Sequence, residues 1–349
     1  MTASAPTAFL PSRRTLLAAS VAAAVLAGFA TGARAEIREH AFKLATQTTA
    51  GTATFDASQK FADLVKLKSG GKMTVKVFGG GSLGKDVAVV SAMQGGTMDF
   101  CVMNSSLLAG VVKEMGVLDF PFVFANEKEA YTVLDGTFGQ RLHGLLVPKN
   151  LVGLSYWEQG FRQVHTGKKA IQTADDLKGM KIRVIETPIY VDFMNALGAN
   201  AVPLPYPELY TALEQKAIDG GTQPITNVIN GKLYEVQKFL TISNHMYSPQ
   251  SVIVGKKSWD KLNADEQKVV QAAADEARGF QRRLSVQRNT EGIAELKKTM
   301  TVNVLPEAER LKMKERTQGV VDKYTKIVGE PLVREMTAEL AKARAKKGA

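Results

Sequence analysis

Lys181-Ile182-Arg183-Val184-Ile185-Glu186-Thr187-Pro188-Ile189-Tyr190 decides the fold. Ile182 and Val184 alternate against Lys181, Arg183 and Ile185, so the stretch opens as a short strand with Arg183 turned away from the face of Ile182 and Val184. Thr187-Pro188 supplies an N-cap and a proline at the first helical position. Ile189, Phe193 and Leu197, four apart, then form one apolar stripe that stops at Gly198. A second strand over 201–204, the turn Pro205-Tyr206-Pro207 and a helix bearing Leu209, Leu213 and Ala217 on one face repeat the pattern, and Gly220-Gly221-Thr222-Gln223-Pro224 closes it. Strands alternating with helices predict an α/β fold with a mostly parallel sheet, whose ligand would sit at the strand ends.

Working outward, five blocks follow one another: Gly160-Phe161-Arg162, Leu177-Lys178-Gly179-Met180-Lys181-Ile182-Arg183-Val184, Ala196-Leu197-Gly198-Ala199, Glu208-Leu209-Tyr210-Thr211-Ala212-Leu213 and Tyr234-Glu235-Val236-Gln237-Lys238. In this order they resemble the solute-binding subunits of tripartite ATP-independent periplasmic (TRAP) transporters. The resemblance runs on, more weakly, from Leu44 through Phe120-Pro121-Phe122-Val123-Phe124 to Trp259 and the helix after it. It implies a two-lobed periplasmic-binding-protein-like fold with a long helix spanning both lobes. Lobe I would comprise 36–159 plus 249–284, and lobe II 160–248 plus 285–349. It also implies a receptor rather than an enzyme, one that closes on a small organic acid, a C4-dicarboxylate or a sugar acid, and delivers it to integral-membrane permease subunits.

The remaining features bound this reading. A chain of 349 residues exceeds what one hydrophobic core usually serves, so two domains are expected. Arg13-Arg14, the apolar run over 16–30 and Ala33-Arg34-Ala35 match an export signal over 1–35, which predicts a periplasmic location; Ser12-Arg13-Arg14-Thr15-Leu16-Leu17 also resembles a twin-arginine signal. Cleavage after Ala35 lowers the formal net charge from +11 to +8. The basic residues are interspersed with acids, so the footprint of a nucleic-acid partner is missing and attraction for small anions is the better reading. Only Lys342, Arg344, Lys346 and Lys347 cluster, at what reads as a solvated helix end. The single cysteine, Cys101, excludes an internal disulfide and lies in an apolar strand, as a buried inert thiol would.

Gly79-Gly80-Gly81-Ser82-Leu83-Gly84 satisfies both a dinucleotide fingerprint and a nucleophile-elbow pattern, which keeps open an exported α/β hydrolase using Ser82 or a dinucleotide enzyme. Asp99, however, precedes its strand, whereas a ribose-binding acid belongs at the carboxyl end. None of His40, His143, His165 and His245 sits in a supporting motif for Ser82. A flexible glycine turn is the simpler reading, and a periplasmic scaffold protein is a third, blander class. No metal-ligand spacing, cofactor motif or pair of catalytic carboxylates stands out.

Binding candidates come from polar strand ends and from the resemblance. Gln47 and Thr49 end the first strand, where the family's pocket draws on the turn, although simple N-capping accounts for the threonines equally well. Asn104 ends another strand. Trp157 and Glu158 end a third, where the tryptophan is either a pocket wall or core. An arginine in a strand is ordinarily on a solvated face, but the resemblance places the family's carboxylate-binding arginine at Arg183 and its second arginine at Arg162. A planar guanidinium grips a carboxylate through two parallel hydrogen bonds, which lysine does not reproduce. Gln223 falls where the family usually has asparagine, a departure that keeps the amide and adds a methylene. Glu158, if it lines the pocket, would favour a sugar acid over a dicarboxylate.

Overall fold

The computed structural model describes Met1, Thr2 and residues 36–345. The export signal expected over 1–35, Met1 and Thr2 apart, lies outside the described residues, as do Lys346 and Lys347.

In chain order the strands are β1 (His40–Thr46), β2 (Met73–Phe78), β3 (Phe100–Asn104), β4 (Leu151–Phe161), β5 (Gln163–Thr166), β6 (Lys181–Val184), β7 (Asn200–Pro203), β8 (Gly220–Gln223), β9 (Phe239–Ile242), β10 (Tyr247–Gly255) and β11 (Thr301–Val304). The helices are α1 (Ala53–Lys68), α2 (Asp86–Gly95), α3 (Glu127–Asp135), α4 (Thr137–Gly144), α5 (Pro188–Ala196), α6 (Leu209–Glu214), α7 (Ile225–Asn230), α8 (Lys256–Trp259), α9 (Ala264–Leu296), α10 (Glu307–Arg316), α11 (Gln318–Val328) and α12 (Glu330–Ala345).

Two sheets result, one in the order β2-β1-β3-β10-β4 and the other β11-β9-β5-β8-β6-β7. They are mixed rather than mostly parallel. The β1–β2, β1–β3, β6–β7, β6–β8 and β9–β11 pairs are parallel, whereas β10 runs against both β3 and β4, and β5 against both β8 and β9. The antiparallel strands are those that carry the chain between the sheets. β4 crosses through Arg162 into β5, and β10 returns beside β4, with Arg162 N donating to Met246 O at 2.8 Å to tie the two crossings together. Reversal at a crossing forces reversed neighbours.

Local chemistry accounts for the elements. In β6, Ile182 and Val184 are buried in the core between α5 and the sheet, and Arg183 on the opposite face is only 2% exposed, so both faces are covered and the solvated-face alternative for Arg183 falls. Thr187 and Pro188 open α5 as expected, but the Thr187 hydroxyl makes no cap bond. Thr52 caps α1 by accepting from Phe55 N, and Asn263 with Glu266 forms a reciprocal capping box at the start of α9.

α9 has 33 residues, which at 1.5 Å per residue is roughly 50 Å. It ends at Leu296, and 297–300 turn directly into β11. Its first part packs on α1 and β4 and its last part on α7. There Gly292 meets Ile225 and Ile229 so closely that an added Cβ would lie 2.7 and 2.6 Å from their side chains; this glycine serves close packing rather than a bend.

Residues 127–144 form two helices, α3 and α4. They part at the extended Gly136, beside Asp135, which accepts from Arg282 Nη1 and Nη2 of α9 at 2.6 and 2.8 Å. α7 stops at Asn230, because Lys232 takes a left-handed conformation. At the C-terminus α10 stays with the second sheet's surroundings, Glu309 accepting from Ala174 N and Arg316 pairing with Asp175. α11 packs both on the short helical turn Lys113–Asp119 and on α5, where Asp192 accepts from Lys323 and Tyr324, and α12 returns to the segments that follow β3, packing on α3 and α4, where Arg344 bonds Glu129 and Glu335 pairs with Arg141. Placing all of 285–349 with the second sheet therefore does not match the packing.

Candidate functional site

The carboxyl ends of β1, β3, β6 and β8 converge on a cavity between the two sheets, with about 540 Å³ of space free of protein atoms out to its mouth. The first sheet's side contributes Gln47, Asp86, Asn104 and Gln250; the second contributes Arg183, Glu186, Tyr206, Gln223 and Asn227, and Arg162 stands at the crossing between them. Lys85 and Glu208 pair across the mouth.

Arg183 is held by its own wall. Nε donates to Leu204 O at 2.8 Å and Nη2 donates to the same carbonyl, while Nη1 has no protein hydrogen bond among the described residues. Arg162 is gripped more completely: Nε donates to Thr222 Oγ1 at 3.0 Å, Nη1 to Ser248 Oγ at 3.2 Å and Nη2 to Thr222 O, and its guanidinium lies 5.2 Å from the Tyr190 ring centre. Burial lowers the pKa of both, that of Arg183 to about 9 with Arg162 adding to the fall, so both remain charged at neutral pH. Neither forms an ion pair with a protein carboxylate among the described residues. Two buried cations left in this condition are costly unless an anion joins them.

Neutral groups complete the lining. Gln47 Nε2 donates to Gly84 O at 2.9 Å, which leaves Oε1 without a protein partner. Asn104 Oδ1 accepts from Ser106 N and Oγ, which leaves Nδ2; Gln223 Oε1 accepts from Asn227 Nδ2 at 3.3 Å, which leaves Nε2. Gln250 is fixed by Thr54, whose Oγ1 donates to its Oε1 at 2.7 Å. Unpaired buried polar atoms around one cavity mark it as built for a polar ligand.

Of the eight residues singled out from sequence, the structure brings Arg183, Arg162, Gln223, Gln47 and Asn104 to this cavity and leaves three outside it. Trp157 is fully buried in the apolar cluster with Phe61, Val252 and Ala277, so the core reading of it stands. Glu158 is buried beside β10, its Oε2 accepting from the Tyr247 hydroxyl at 2.7 Å, and burial raises its pKa; it is not available to choose among ligands in the cavity. Thr49 is exposed, and its carbonyl accepts from Thr52, so it shapes the turn before α1.

Sequence reasoning missed Asp86, Glu186, Asn227 and Gln250. For Asp86 a signal existed. It follows directly on the glycine turn after β2, at the same edge of the sheet as Gln47 and Asn104. Gly80, Gly81 and Gly84 of that turn have positive φ, and a Cβ on Gly81 would lie 2.6 Å from Gln47 Oε1, so the glycines let the turn close over the cavity wall. Ser82 on the same turn is exposed and has no histidine partner among the described residues. His143 bonds Ser251, His165 bonds Gln237, His245 bonds Ser243 and His40 lies on Glu266.

The model of the bacterial extracellular solute-binding proteins, family 7, matches residues 44–327. The 2,3-diketo-L-gulonate-binding periplasmic protein of Escherichia coli is 34% identical over 285 residues, which cover 82% of this chain and 87% of that one. Among solved structures, a sugar acid binding protein of Advenella mimigardefordensis in complex with galactonate superposes with a TM-score of 0.86 at 37% identity, over 88% of this chain and 99% of the other. A TRAP periplasmic solute-binding protein of Sulfurospirillum deleyianum with bound succinate superposes with a TM-score of 0.82 at 28% identity, over 86% and 99%. With the two-sheet fold and the arginine-lined cavity between the sheets, these matches establish that the chain belongs to the bacterial extracellular solute-binding proteins of family 7, the solute receptors of TRAP transporters.

Proposed function

We propose that the protein binds a small carboxylic acid in the cavity between its two sheets, in the periplasm, and hands it to the membrane permease of a TRAP transporter. The observation that carries this reading is the pair of buried guanidiniums, Arg183 and Arg162, facing one cavity without a direct ion pair to a protein carboxylate among the described residues. A ligand carboxylate supplies the missing charge, and Arg183 Nη1 is the free donor that meets it. The unpaired amides of Gln47, Asn104 and Gln223 suit hydroxyl or keto oxygens elsewhere on the ligand. Galactonate, succinate and 2,3-diketo-L-gulonate, which name the similar proteins, share a carboxylate and differ in hydroxylation, so sugar acids and C4-dicarboxylates are the two ligand classes for this chain. In this reading the two sheets are the cores of two lobes that close on the ligand, and α12 moves with the first sheet rather than with residues 160–248. The protein acts as a receptor: the cavity holds arginines, amides and two separate acids, groups that suit a polar anion. Among the described residues no helix is long and apolar enough to cross a membrane.

Mass spectrometry of ligand released by denaturing the exported protein tests this directly. The expected species is a small hydroxylated or dicarboxylic acid; recovery of a neutral sugar or an amine instead would refute the proposal.

A further inference from the structure

Two acids stand in a cavity whose charge otherwise calls for an anion. Glu186 is exposed at the mouth, whereas Asp86, in the first turn of α2, is half-buried, with its Oδ1 shielded from solvent and without a protein partner. Beside it Gln47 Oε1 is also a buried acceptor without a partner. Two acceptors at one end of the cavity can be satisfied only by donors. A ligand hydroxyl is a donor, and an ionised second carboxylate is not.

Resting on the receptor reading above, we propose that Asp86 is the specificity-determining residue of the cavity: ionised, it accepts hydrogen bonds from the hydroxyls of a monocarboxylate sugar acid and repels a dicarboxylate, and only after taking up one proton does it donate to a dicarboxylate's second carboxylate. The placement of the arginines on the other wall supports this division. Arg183 and Arg162 hold the first carboxylate of either ligand, so the choice between classes is left to the wall of Asp86.

The surroundings of Asp86 put its proton in the working range. Burial pushes its pKa up to about 7, with Glu186 across the cavity adding to the rise, and the Gln47 amide and Arg183 pulling the other way. The other charged groups nearby do not reverse this. Lys85, the preceding residue, is engaged with Glu208, and Cys101 on β3 behind Asp86 is fully buried with its thiol pushed well up, so it stays neutral. A carboxyl with a raised pKa takes up its proton as pH falls towards 7 and holds its charge above that. Dicarboxylate binding that requires the proton therefore weakens tenfold for each unit of pH above about 7, while sugar-acid binding does not.

The experiment is calorimetric titration of the full exported protein with galactonate and with succinate between pH 7 and pH 9, where both acids are fully ionised, for the parent, Asp86→Asn and Glu186→Gln. In the parent the galactonate-to-succinate affinity ratio should rise on the order of 100-fold from pH 7 to pH 9, with succinate binding taking up close to one proton at the upper end. In Asp86→Asn, whose amide donates at every pH, the ratio should be smaller and independent of pH. In Glu186→Gln, which keeps the Asp86 carboxyl and removes a neighbour that raises its pKa, the dependence should set in at lower pH. A ratio that stays constant in the parent, or that keeps its pH dependence in Asp86→Asn, overturns the role of Asp86 while leaving the receptor reading intact. Failure of both acids to bind at any pH overturns the receptor reading itself.

Discussion

The two walls of the cavity are chemically unlike. The wall from the second sheet carries fixed positive charge: Arg183 is anchored to Leu204 O, Arg162 stands over Thr222, and no lysine is involved. Among the described residues the wall from the first sheet carries no cation, and its polar side chains include Gln47, Asn104, Gln250 and the acid Asp86. Charge holds any carboxylate, so the second wall supplies most of the affinity and little of the choice. Neutral donors and acceptors match one pattern of hydroxyls, so the first wall supplies the choice. A ligand touches both walls only when the sheets are brought together, which is how binding can drive closure.

The contrast predicts a graded series. Arg183→Ala should cause the largest loss, roughly 3–5 kcal/mol or on the order of 10²- to 10³-fold in affinity for any carboxylate, because it leaves a buried ligand anion unpaired. Arg183→Lys should be nearly as harmful, since the planar fork is lost. Both should keep the parent's thermal stability without ligand within a few degrees. Arg162→Ala should lower binding and stability together, because three of its donors bridge β5, β8 and β10 through Thr222 and Ser248. Titration calorimetry beside thermal denaturation of the unliganded proteins separates the two arginines. If Arg162→Ala is as stable as Arg183→Ala, the distinction between an anchored and an available guanidinium fails.

On the opposite wall Gln47→Ala and Asn104→Ala should each cost about 1 kcal/mol, roughly fivefold in affinity, and the loss should differ from one acid to another. Comparing galactonate with succinate for these variants sharpens the comparison. A uniform loss for both acids would mean that the first wall contributes affinity and not choice.

The same contrast explains what could be read in the sequence. β6 and α5 were legible because alternation and capping are local, and Arg183 could be placed in its strand; its burial on both faces depends on the Leu204 segment closing over it, which no local pattern encodes. Trp157 and Glu158 looked equivalent to Asn104 as polar or aromatic groups at a strand end. β10, arriving from some ninety residues later, covers that end of β4 and takes Glu158 for Tyr247. Asp86 was hidden by the glycine turn beside it, which reads as a turn whatever its wall does. Gln250 sits within a strand of otherwise small and apolar residues, where a buried polar side chain could have been suspected. The destination of α11 and α12 is a matter of which surface remains uncovered once everything else has packed, so amphipathic helices at the chain end give their identity but not their partner.

The central claim is that positive charge on one wall, and not shape alone, holds the ligand. It is tested most directly by a thermal-shift comparison of sugar acids and dicarboxylates with neutral polyols of the same length. An acid present at about 1,000 times its dissociation constant should add roughly 4 kcal/mol to the stability of the parent protein, with the neutral polyol adding nothing. Stabilisation by neutral polyols while no carboxylate shifts the melting temperature would contradict the account.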